Sequence, residues 1–275
     1  MQKKHAVEHV VNQGLCSVRR ACRYLKLHRS TYQYRAKPMP SKQVQLHQQI
    51  VALSWAHPRY GYRRIRALLT QEGWTVSRKQ VQRVRRKEGL KVAAKPTRKT
   101  RQGVSTGLPT QALSLNHVWT WDFIFDRTDK GSTLKMLTMV DEYSRRCVTI
   151  RVERQLDSDQ VLSTLWQTMA VYGIPAYIRS DNGSEFIAGK IQTWLKDNHI
   201  KTLYIDPGSP WQNGYIESFH SRFRDECLNR EWLLNLREAR VVIEDWRQHY
   251  NEERPHSKLG YLSPERFLQM KKVSP

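Results

Sequence analysis

The positive charge of this chain is confined to its first part, and this division constrains the fold more than any other feature of the sequence. Residues 1–110 contain 25 Lys and Arg against three acidic residues, a net charge of +22, whereas residues 111–275 contain 22 basic and 22 acidic residues. A segment with this excess of charge repels itself unless a polyanion neutralises it. We therefore expect the first part to bind nucleic acid. A membrane surface is the weaker alternative, because no segment has a continuous bulky apolar face.

The sequence contains no signal for export or for insertion into a membrane. No window approaches 18 uninterrupted apolar residues, and the N-terminus lacks an apolar run followed by a cleavage site. The four cysteines show no paired short spacing, which indicates reduced thiols. We expect a cytoplasmic protein with no membrane partner.

Residues 1–40 are interpreted as a first helix-turn-helix-like module. Apolar residues at helical spacing predict a helix from Lys3 to Asn12, and Ser17 and Ser30 are expected to cap two shorter helices. A zinc site formed by His5, His9, Cys16 and Cys22 is an alternative that we do not favour. The two cysteines are too far apart in sequence for a usual structural zinc site, and Cys22 falls on the apolar stripe.

Residues 45–90 are interpreted as a second helix-turn-helix module, followed by a flexible basic linker over residues 91–117. The segment GYRRIRALLTQEG predicts one helix, and Ser77 is expected to cap the next, RKQVQRVRRKE. A charged helix with one solvated face is the plainer interpretation, but the density of cations favours a helix that follows DNA phosphates. The cations concerned are Arg78, Lys79, Arg83, Arg85, Arg86 and Lys87.

The neutral part has the pattern of an α/β domain. Three consecutive segments rich in β-forming residues begin at Val118 and predict an antiparallel meander, and a helix over Asp157–Tyr172 follows. Further short strands and helices give the order βββαβαβα, which predicts a mixed sheet flanked by helices. We assign residues 118–230 to this domain and residues 231–275 to a C-terminal helical extension.

Two aspartates, Asp122 and Asp181, lie at positions that are candidates for a catalytic role. Asp122 lies in the middle of the first predicted strand, on one face with Thr120 and Ile124, although an aspartate disfavours strands. Asp181 follows a predicted strand, where the chain turns at Asn182. A structural role remains open for Asp122, and for Asp181 alone a turn-forming role is the better interpretation.

Glu217 lies on a predicted amphipathic helix that begins near Tyr215. Four apolar residues of this helix fall within an arc of about 80°, whereas Glu217 and Arg224 share an exposed ridge outside that arc. A solvated glutamate is the plainer interpretation for any helix. The preceding loop SPWQNG, however, is expected to constrain the position at which this helix begins, which favours a functional role for Glu217.

Three carboxylates on separate elements fit a two-metal site. Mg²⁺ prefers oxygen ligands and retains several waters, so that few protein groups are required. Two such ions about 4 Å apart can activate a hydroxyl and stabilise the leaving oxygen of an in-line displacement. We expect Asp122 to bridge both ions. No GxxxxGK[ST] loop occurs, so the sequence gives no indication of nucleotide hydrolysis.

Five motifs resemble those of the retroviral-type integrases and related bacterial insertion-sequence transposases, and they occur in the same order along the chain. In that order they are HPRYGYRRI ahead of the second module, WDF at Asp122, SDNGSEF at Asp181, SPWQNGYIES at Glu217 and YNEERPHSKLGYLSPERF near the C-terminus. The 35 residues between Asp181 and Glu217 match the spacing of that DD(35)E superfamily, and Arg224 occupies a position where the family has a basic residue.

This resemblance implies an RNase H-like catalytic domain and Mg²⁺ or Mn²⁺ as cofactor, with Asp122, Asp181 and Glu217 as the catalytic residues and metal ligands. It implies cleavage at the ends of an insertion sequence to free a 3′-hydroxyl, followed by attack of that hydroxyl on a phosphodiester. The implied partners are double-stranded DNA at terminal inverted repeats and at the target, and further copies of the chain in a synaptic complex. The resemblance also implies a second-frame product, made as a fusion to a small upstream protein, in a bacterial cytoplasm and associated with the nucleoid.

Two other functions remain as alternatives. The chain could be a catalytically silent DNA-binding regulator derived from a transposase, because the basic part could act alone. It could also be a nuclease of RNase H type without specificity for element ends. The presence of all three acids at the family spacing favours the transposase.

Overall fold

The computed structural model describes residues 2–35, 40–92, 111–180, 189–205 and 213–273. The chain divides into two compact units, Met1–Gln49 and Ile50–Pro275. Among the described helices, none has the length and apolar character needed to cross a membrane.

The first unit begins with three helices. They are α1 (Gln2–Asn12), α2 (Val18–Tyr24) and α3 (Arg29–Gln33). Val7, Ala21 and Cys22 form its buried centre, which confirms that Cys22 lies on the apolar stripe. The predicted cap of α3 was wrong: His28, not Ser30, is the N-cap, and its ring accepts a hydrogen bond from the Ser30 amide.

A further helix that the sequence interpretation did not include, α4 (Ser41–Ala56), spans the boundary between the units. Leu46, Ile50 and Ser54 are its buried residues, and their spacing of four residues is the signal that could have predicted it.

The second unit continues with α5 (Tyr62–Gln71) and α6 (Arg78–Lys87). The predicted cap of α6 is confirmed, because the Ser77 side chain accepts a hydrogen bond from the Gln80 amide at 3.2 Å. Ile65 and Leu69 of α5 and Val81 of α6 are buried between the two helices and their neighbours. This pair therefore has an apolar inner side and a basic outer side.

A five-stranded mixed sheet forms the centre of the second unit. Its strands are β1 (Val118–Arg127), β2 (Thr133–Asp141), β3 (Cys147–Glu153), β4 (Tyr177–Ser180) and β5 (Lys201–Tyr204), in the order β3-β2-β1-β4-β5. The β1-β2-β3 meander is antiparallel, and β4 and β5 run parallel to β1. The predicted meander and mixed sheet are thus confirmed.

Helices cover both faces of the sheet. They are α7 (Ser158–Tyr172), α8 (Gly189–Asp197), α9 (Gly214–Phe223), α10 (Leu236–Glu252) and α11 (Pro264–Val273), and a π-helical turn over Arg224–Leu228 directly continues α9. The predicted start of the helix that carries Glu217 is confirmed to within one residue. An Asp157 capping box begins α7.

The side chains of β1 point alternately to the two faces of the sheet and pack into two separate hydrophobic cores. Trp119 and Trp121 pack with α7 and α8 on one face. Ile124 packs on the other face with the apolar residues of α9 and α10, including Phe219 and Phe223. Successive residues of a strand point to opposite faces, so Asp122 lies on the face of β1 that carries α9.

Candidate active site

Asp122 occupies a central position of β1 at the edge of the buried region. Its side chain is 27% exposed, and its Oδ1 accepts a hydrogen bond from the Phe123 amide at 2.7 Å. In the register of the sheet, Asp122 lies opposite Thr138 of β2. A carboxylate in this position is supported by its own strand and remains accessible from solvent.

Thr138 and His220 support Asp122 from the side of α9. The buried Thr138 hydroxyl donates to the Asp122 carbonyl oxygen at 2.9 Å and lies 2.8 Å from His220 Nε2. The other ring nitrogen, His220 Nδ1, lies 3.7 Å from Asp122 Oδ2. Asp122, Thr138 and His220 therefore connect β1, β2 and α9 beside the Asp122 carboxylate.

The His220 ring is neutral near pH 7. Burial, with a smaller contribution from the positive charge of Arg224, lowers the pKa of His220 to about 4. The ring and the Asp122 carboxylate are within ion-pair distance, but a neutral imidazole forms no ion pair.

One ridge of α9 faces β1 along its length. Asn213, Glu217, His220 and Arg224 fall within an arc of about 60° at 100° per residue. Asn213 accepts a hydrogen bond from Thr120 at 2.8 Å, and Arg224 donates to the Phe125 carbonyl oxygen at 3.0 Å. Glu217 is exposed and lies between these two fixed positions. The ridge therefore holds the Glu217 backbone alongside β1 and Asp122.

Additional contacts fix the start of α9. Thr120 and Asn213 are both buried, so the hydrogen bond between them lies inside the domain. The Arg145 guanidinium lies 4.0 Å from the centre of the Tyr215 ring, in a cation–π contact. Arg145 belongs to the β2–β3 turn, so this turn also supports the beginning of the helix.

A buried cluster of ion pairs fixes the other end of this helix. Arg254 donates two hydrogen bonds to Glu226, at 2.6 and 2.8 Å, and Arg64 of α5 donates a third at 2.9 Å. Arg59 pairs with Asp225 next to it. The π-helical turn that follows Glu217 is thus bound directly to the segment that contains α5.

The charge state of Glu226 follows from these contacts. Burial opposes its ionisation, but the hydrogen bonds and charges of Arg254 and Arg64 outweigh that effect and hold the pKa of Glu226 below its usual value. Glu226 is therefore an anion that links two cations from different parts of the second unit.

Asp181 lies outside the described residues. The strand before it, β4, ends at Ser180 and pairs with β1 in a register that places Arg179 beside Thr120, two residues before Asp122. Arg179 is buried and donates to Glu142 at 2.7 Å. This buried ion pair ties the end of β4 to the β2–β3 turn.

The predicted DNA-contacting cations of α6 fall into two groups. Five are exposed: Arg78, Lys79, Arg83, Arg86 and Lys87. Arg85, in contrast, is 4% exposed, and its guanidinium donates to the carbonyl oxygens of Tyr60 at 2.6 Å and Leu90 at 2.8 Å. Arg85 supports the fold here and cannot reach a phosphate in this conformation, so we remove it from the expected DNA contacts.

The donor atoms present fit a hard divalent cation. Asp122 and Glu217 offer carboxylate oxygens from adjacent elements, and such oxygens are the ligands that Mg²⁺ prefers. Within the described residues, however, no group of three or more His, Cys, Asp or Glu side chains is arranged to hold a metal ion. Asp181, the third carboxylate that the sequence predicts, lies outside the described residues.

Sequence reasoning did not identify the residues that position the two carboxylates. Thr120, Thr138 and His220 were not singled out as functional, and neither was Glu226. For His220 the signal was present, because the spacing of Asn213, Glu217, His220 and Arg224 repeats every three or four residues. For Glu226 there was no signal, since its partners lie far away in sequence.

Comparison with known proteins finds matches over most of the chain. Two models of the integrase core domain match residues 113–210 and 198–264, and a model of an HTH-like domain matches residues 41–99. An uncharacterised 31.7 kDa protein of insertion element IS407 from Burkholderia multivorans is 41% identical over 91% of this chain and 90% of its own length. The InsF transposase of insertion sequence IS3A from Escherichia coli is 26% identical over 93% of this chain and 95% of its own length.

A solved structure shows the same fold at low sequence identity. The integrase chain of the simian T-cell lymphotropic virus intasome, solved with a PP2A regulatory subunit, superposes with a TM-score of 0.51. The superposition covers 82% of this chain and 76% of that one at 15% identity. This likeness, together with the integrase core match over residues 113–210, shows an RNase H-like integrase-core fold.

The integrase core and HTH-like matches define the class of protein, a polynucleotidyl transferase of the integrase type preceded by a helical HTH-like part. The family matches and the extent of identity specify it further. This chain belongs to the bacterial insertion-sequence transposases that carry a retroviral-type integrase core, a family that acts in DNA transposition and integration.

Proposed function

We propose that this chain cleaves DNA at the ends of an insertion sequence and joins the freed 3′-hydroxyl to target DNA, with Asp122, Asp181 and Glu217 as its catalytic carboxylates. The observation that carries the proposal is the alignment of α9 with β1. Contacts before and after Glu217 hold it alongside Asp122: Thr120 with Asn213, Thr138 with His220, and Phe125 with Arg224. Such an arrangement keeps two carboxylates in fixed relation without relying on a loop.

Asp181 is proposed as the third carboxylate. Its support is the position of β4, which runs parallel to β1 and ends at Ser180, near the level of Asp122. The register pairs Thr120 with Arg179, so that β4 ends at Ser180 one residue short of the level of Asp122. The 35-residue interval between Asp181 and Glu217, which matches the family spacing, supports the same assignment.

Each protein group has a distinct role in the proposed reaction. Asp122 and Glu217, together with Asp181, would hold Mg²⁺ or Mn²⁺, which when bound would activate the attacking hydroxyl and stabilise the leaving oxygen. Thr138 fixes the backbone at Asp122 through its hydrogen bond to the carbonyl oxygen. Arg224, exposed at the end of the ridge, would bind the phosphate backbone of the DNA.

The exposed cations of α6 would hold the terminal inverted repeats. Five exposed cations within ten residues of one helix can follow a phosphate backbone. We further propose that the active form is a homo-oligomer in a synaptic complex at the bacterial nucleoid, and that the chain can also occur fused to, or paired with, an upstream-frame protein.

A strand-joining assay on defined element ends tests the proposal. We expect Asp122→Asn, Asp181→Asn and Glu217→Gln each to lower strand joining by a factor of about 10³ or more, because loss of transition-state charge stabilisation on this scale costs about 4 kcal/mol. Asp126→Asn is the matched control: Asp126 lies on the same face of β1, and it also accepts a hydrogen bond from the next amide. This control should retain activity.

Three outcomes would contradict the proposal. Joining by all three variants at the wild-type rate would remove the site assignment. Binding without any joining by the wild-type chain would favour the catalytically silent regulator, and cleavage of random DNA or RNA–DNA hybrid in preference to element ends would favour a nuclease.

A further inference from the structure

The C-terminal motif YNEERPHSKLGYLSPERF contains a tight turn over residues 256–262 that the proposed reaction does not use. His256 and Leu262 form an antiparallel bridge that closes the turn, and the Tyr261 amide donates to the His256 carbonyl oxygen at 2.8 Å. Tyr261 has a φ of 67°, in the left-handed region that a tyrosine rarely adopts. Such a conformation persists only where the surrounding contacts hold it, and it is found preferentially at functional sites.

The turn is attached to α5, although the two segments are far apart in sequence. Gln71 at the end of α5 donates to the Tyr261 carbonyl oxygen at 3.4 Å, across 190 residues of chain. Arg254, two residues before the turn, and Arg64 of α5 both donate to the buried Glu226. These contacts hold the turn and α5 in a fixed relation to each other.

Two cations are exposed where the turn meets α5. Arg63 is exposed on α5, and its Nε donates to the Tyr62 hydroxyl at 3.3 Å. Tyr62, with a smaller contribution from Tyr261 of the turn, raises the pKa of Arg63, so the Arg63 guanidinium lies near both segments. Lys258 is exposed on the turn itself. Neither α5 nor the turn contains an acidic residue, so the surface that they share is positively charged.

We propose that Arg63 and Lys258 form a second DNA-contacting surface, the turn patch, which binds the phosphate backbone of the duplex held by α6. The inference rests on the proposed function, since it assumes that the chain holds duplex DNA at this segment. A polyanion is the partner that matches the charge of the turn patch. Duplex DNA is favoured among polyanions because α5 belongs to the HTH-like match over residues 41–99, so that the turn patch continues the expected DNA-binding surface.

The turn patch would extend the grip of the DNA-binding segment without adding sequence specificity. Phosphate contacts position a protein on the duplex but do not distinguish one base sequence from another. The turn patch should therefore contribute equally to the binding of element ends and of random duplex. Tyr261 acts here as a positioning residue, because it joins the turn to α5 beside Arg63.

Salt titrations of duplex binding by the full-length chain test this inference. Arg63→Gln and Lys258→Gln should each reduce the slope of log affinity against log salt by about 0.9, because each variant releases one counterion fewer. The reduction should be the same for a duplex with the element end and for a random duplex. Lys258→Arg keeps the charge and should keep the wild-type slope. Both side chains are exposed, so the temperature of unfolding should not change.

Lys196→Gln is the matched control. Lys196 is an exposed lysine of α8, which packs on the face of the sheet opposite to α9 and α10, and its removal should leave the slope at the wild-type value. A reduction by Lys196→Gln equal to that by Lys258→Gln would show an effect of net charge alone and overturn the inference.

Two further outcomes separate this inference from the proposed function. A wild-type slope for either Arg63→Gln or Lys258→Gln, with strand joining at element ends intact, would overturn the turn patch and leave the proposed function in place. Duplex binding by the wild-type chain that does not depend on salt, together with an absence of strand joining, would overturn both.

Discussion

Thr138 illustrates how one hydroxyl can serve both folding and chemistry. It is fully buried, donates to the Asp122 backbone and contacts His220. We expect Thr138→Val to lose about 1 kcal/mol of stability through these hydrogen bonds. It should also lower strand joining by about tenfold or more, because the groups beside Asp122 lose their fixed positions.

A matched variant separates the two effects. Thr168 is a buried threonine of α7 whose hydroxyl donates to the Thr164 carbonyl oxygen at 2.7 Å, away from the candidate active site. Thr168→Val should lose similar stability in thermal unfolding but retain strand joining. Equal activity of the two variants would show that Thr138 has no role beyond stability.

Arg85 and Arg86 are adjacent in sequence, but the structure assigns them different environments. Arg85 is buried and satisfies two carbonyl oxygens, whereas Arg86 is exposed. Arg85→Gln should lower the free energy of unfolding by about 1–3 kcal/mol, since it leaves buried carbonyl groups without donors. Arg86→Gln should leave stability unchanged and reduce the slope of log affinity for DNA against log salt by about 1.

Thermal unfolding and salt titrations of duplex binding measure the two effects separately. If Arg85→Gln were as stable as the wild type and reduced the salt slope, Arg85 would have to contact DNA in a conformation different from this one.

At the scale of the helix, the end of α9 depends on a carboxylate shared by two arginines. Glu226→Gln removes the charge that compensates Arg254, which is itself 2% exposed. Breaking a buried pair in this way costs about 3–5 kcal/mol, so we expect a marked loss of thermal stability. The exposed Glu252 of α10 supplies the control, because Glu252→Gln should unfold at the wild-type temperature.

The same carboxylate gives a testable dependence on pH. The pKa of Glu226 is lowered in the folded chain, so the native state favours the ionised form more than the unfolded state does. This stabilisation is complete above the unfolded pKa of about 4.3 and is lost as the pH falls through the folded pKa. The difference in unfolding free energy between wild type and Glu226→Gln should therefore narrow below about pH 4.3. A constant difference down to pH 3 would contradict the assignment.

The sequence predicted most elements of the second unit but not the way they are joined. Alternation in β1 and periodicity in α9 are local patterns, so both elements and the buried faces of Ile124 and Phe219 could be predicted from them. The cap of α3 could not, because histidine is a rare cap and Ser30 is the more usual choice at that point. The pairing of Arg64 with Glu226 spans more than 160 residues, and no local pattern specifies such a partner.

The residues of the candidate site also differ in whether a local sequence pattern could identify them. Glu217 stood out through the geometry of its helix, whereas Asp122 and Asp181 needed the family spacing to be connected. His220 has the correct helical phase but is an ordinary residue for an amphipathic helix. Only its two contacts across the sheet, to Thr138 and Asp122, show that it belongs to the site.

At the scale of the whole molecule, the charge division predicts how binding responds to salt. The net charge of +22 lies entirely within residues 1–110. Neutralising six to ten phosphates should lower affinity for random duplex DNA by about 10³ to 10⁵ between 50 and 200 mM salt. Fluorescence anisotropy with a labelled duplex measures this directly. An affinity independent of salt would contradict an electrostatic role for the basic part.

The ion pairs between α5 and the turn after α9 also bear on how such chains can be recombined. Arg59 and Arg64 belong to the segment matched by the HTH-like domain, but their partners Asp225 and Glu226 belong to the integrase core. A chimera that takes its DNA-binding segment from one insertion element and its core from another would lose the Arg59–Asp225 pair and one of the three hydrogen bonds to Glu226, unless both halves supply these residues. These four residues should therefore be inherited together, and a graft intended to change end specificity has to carry them as a set.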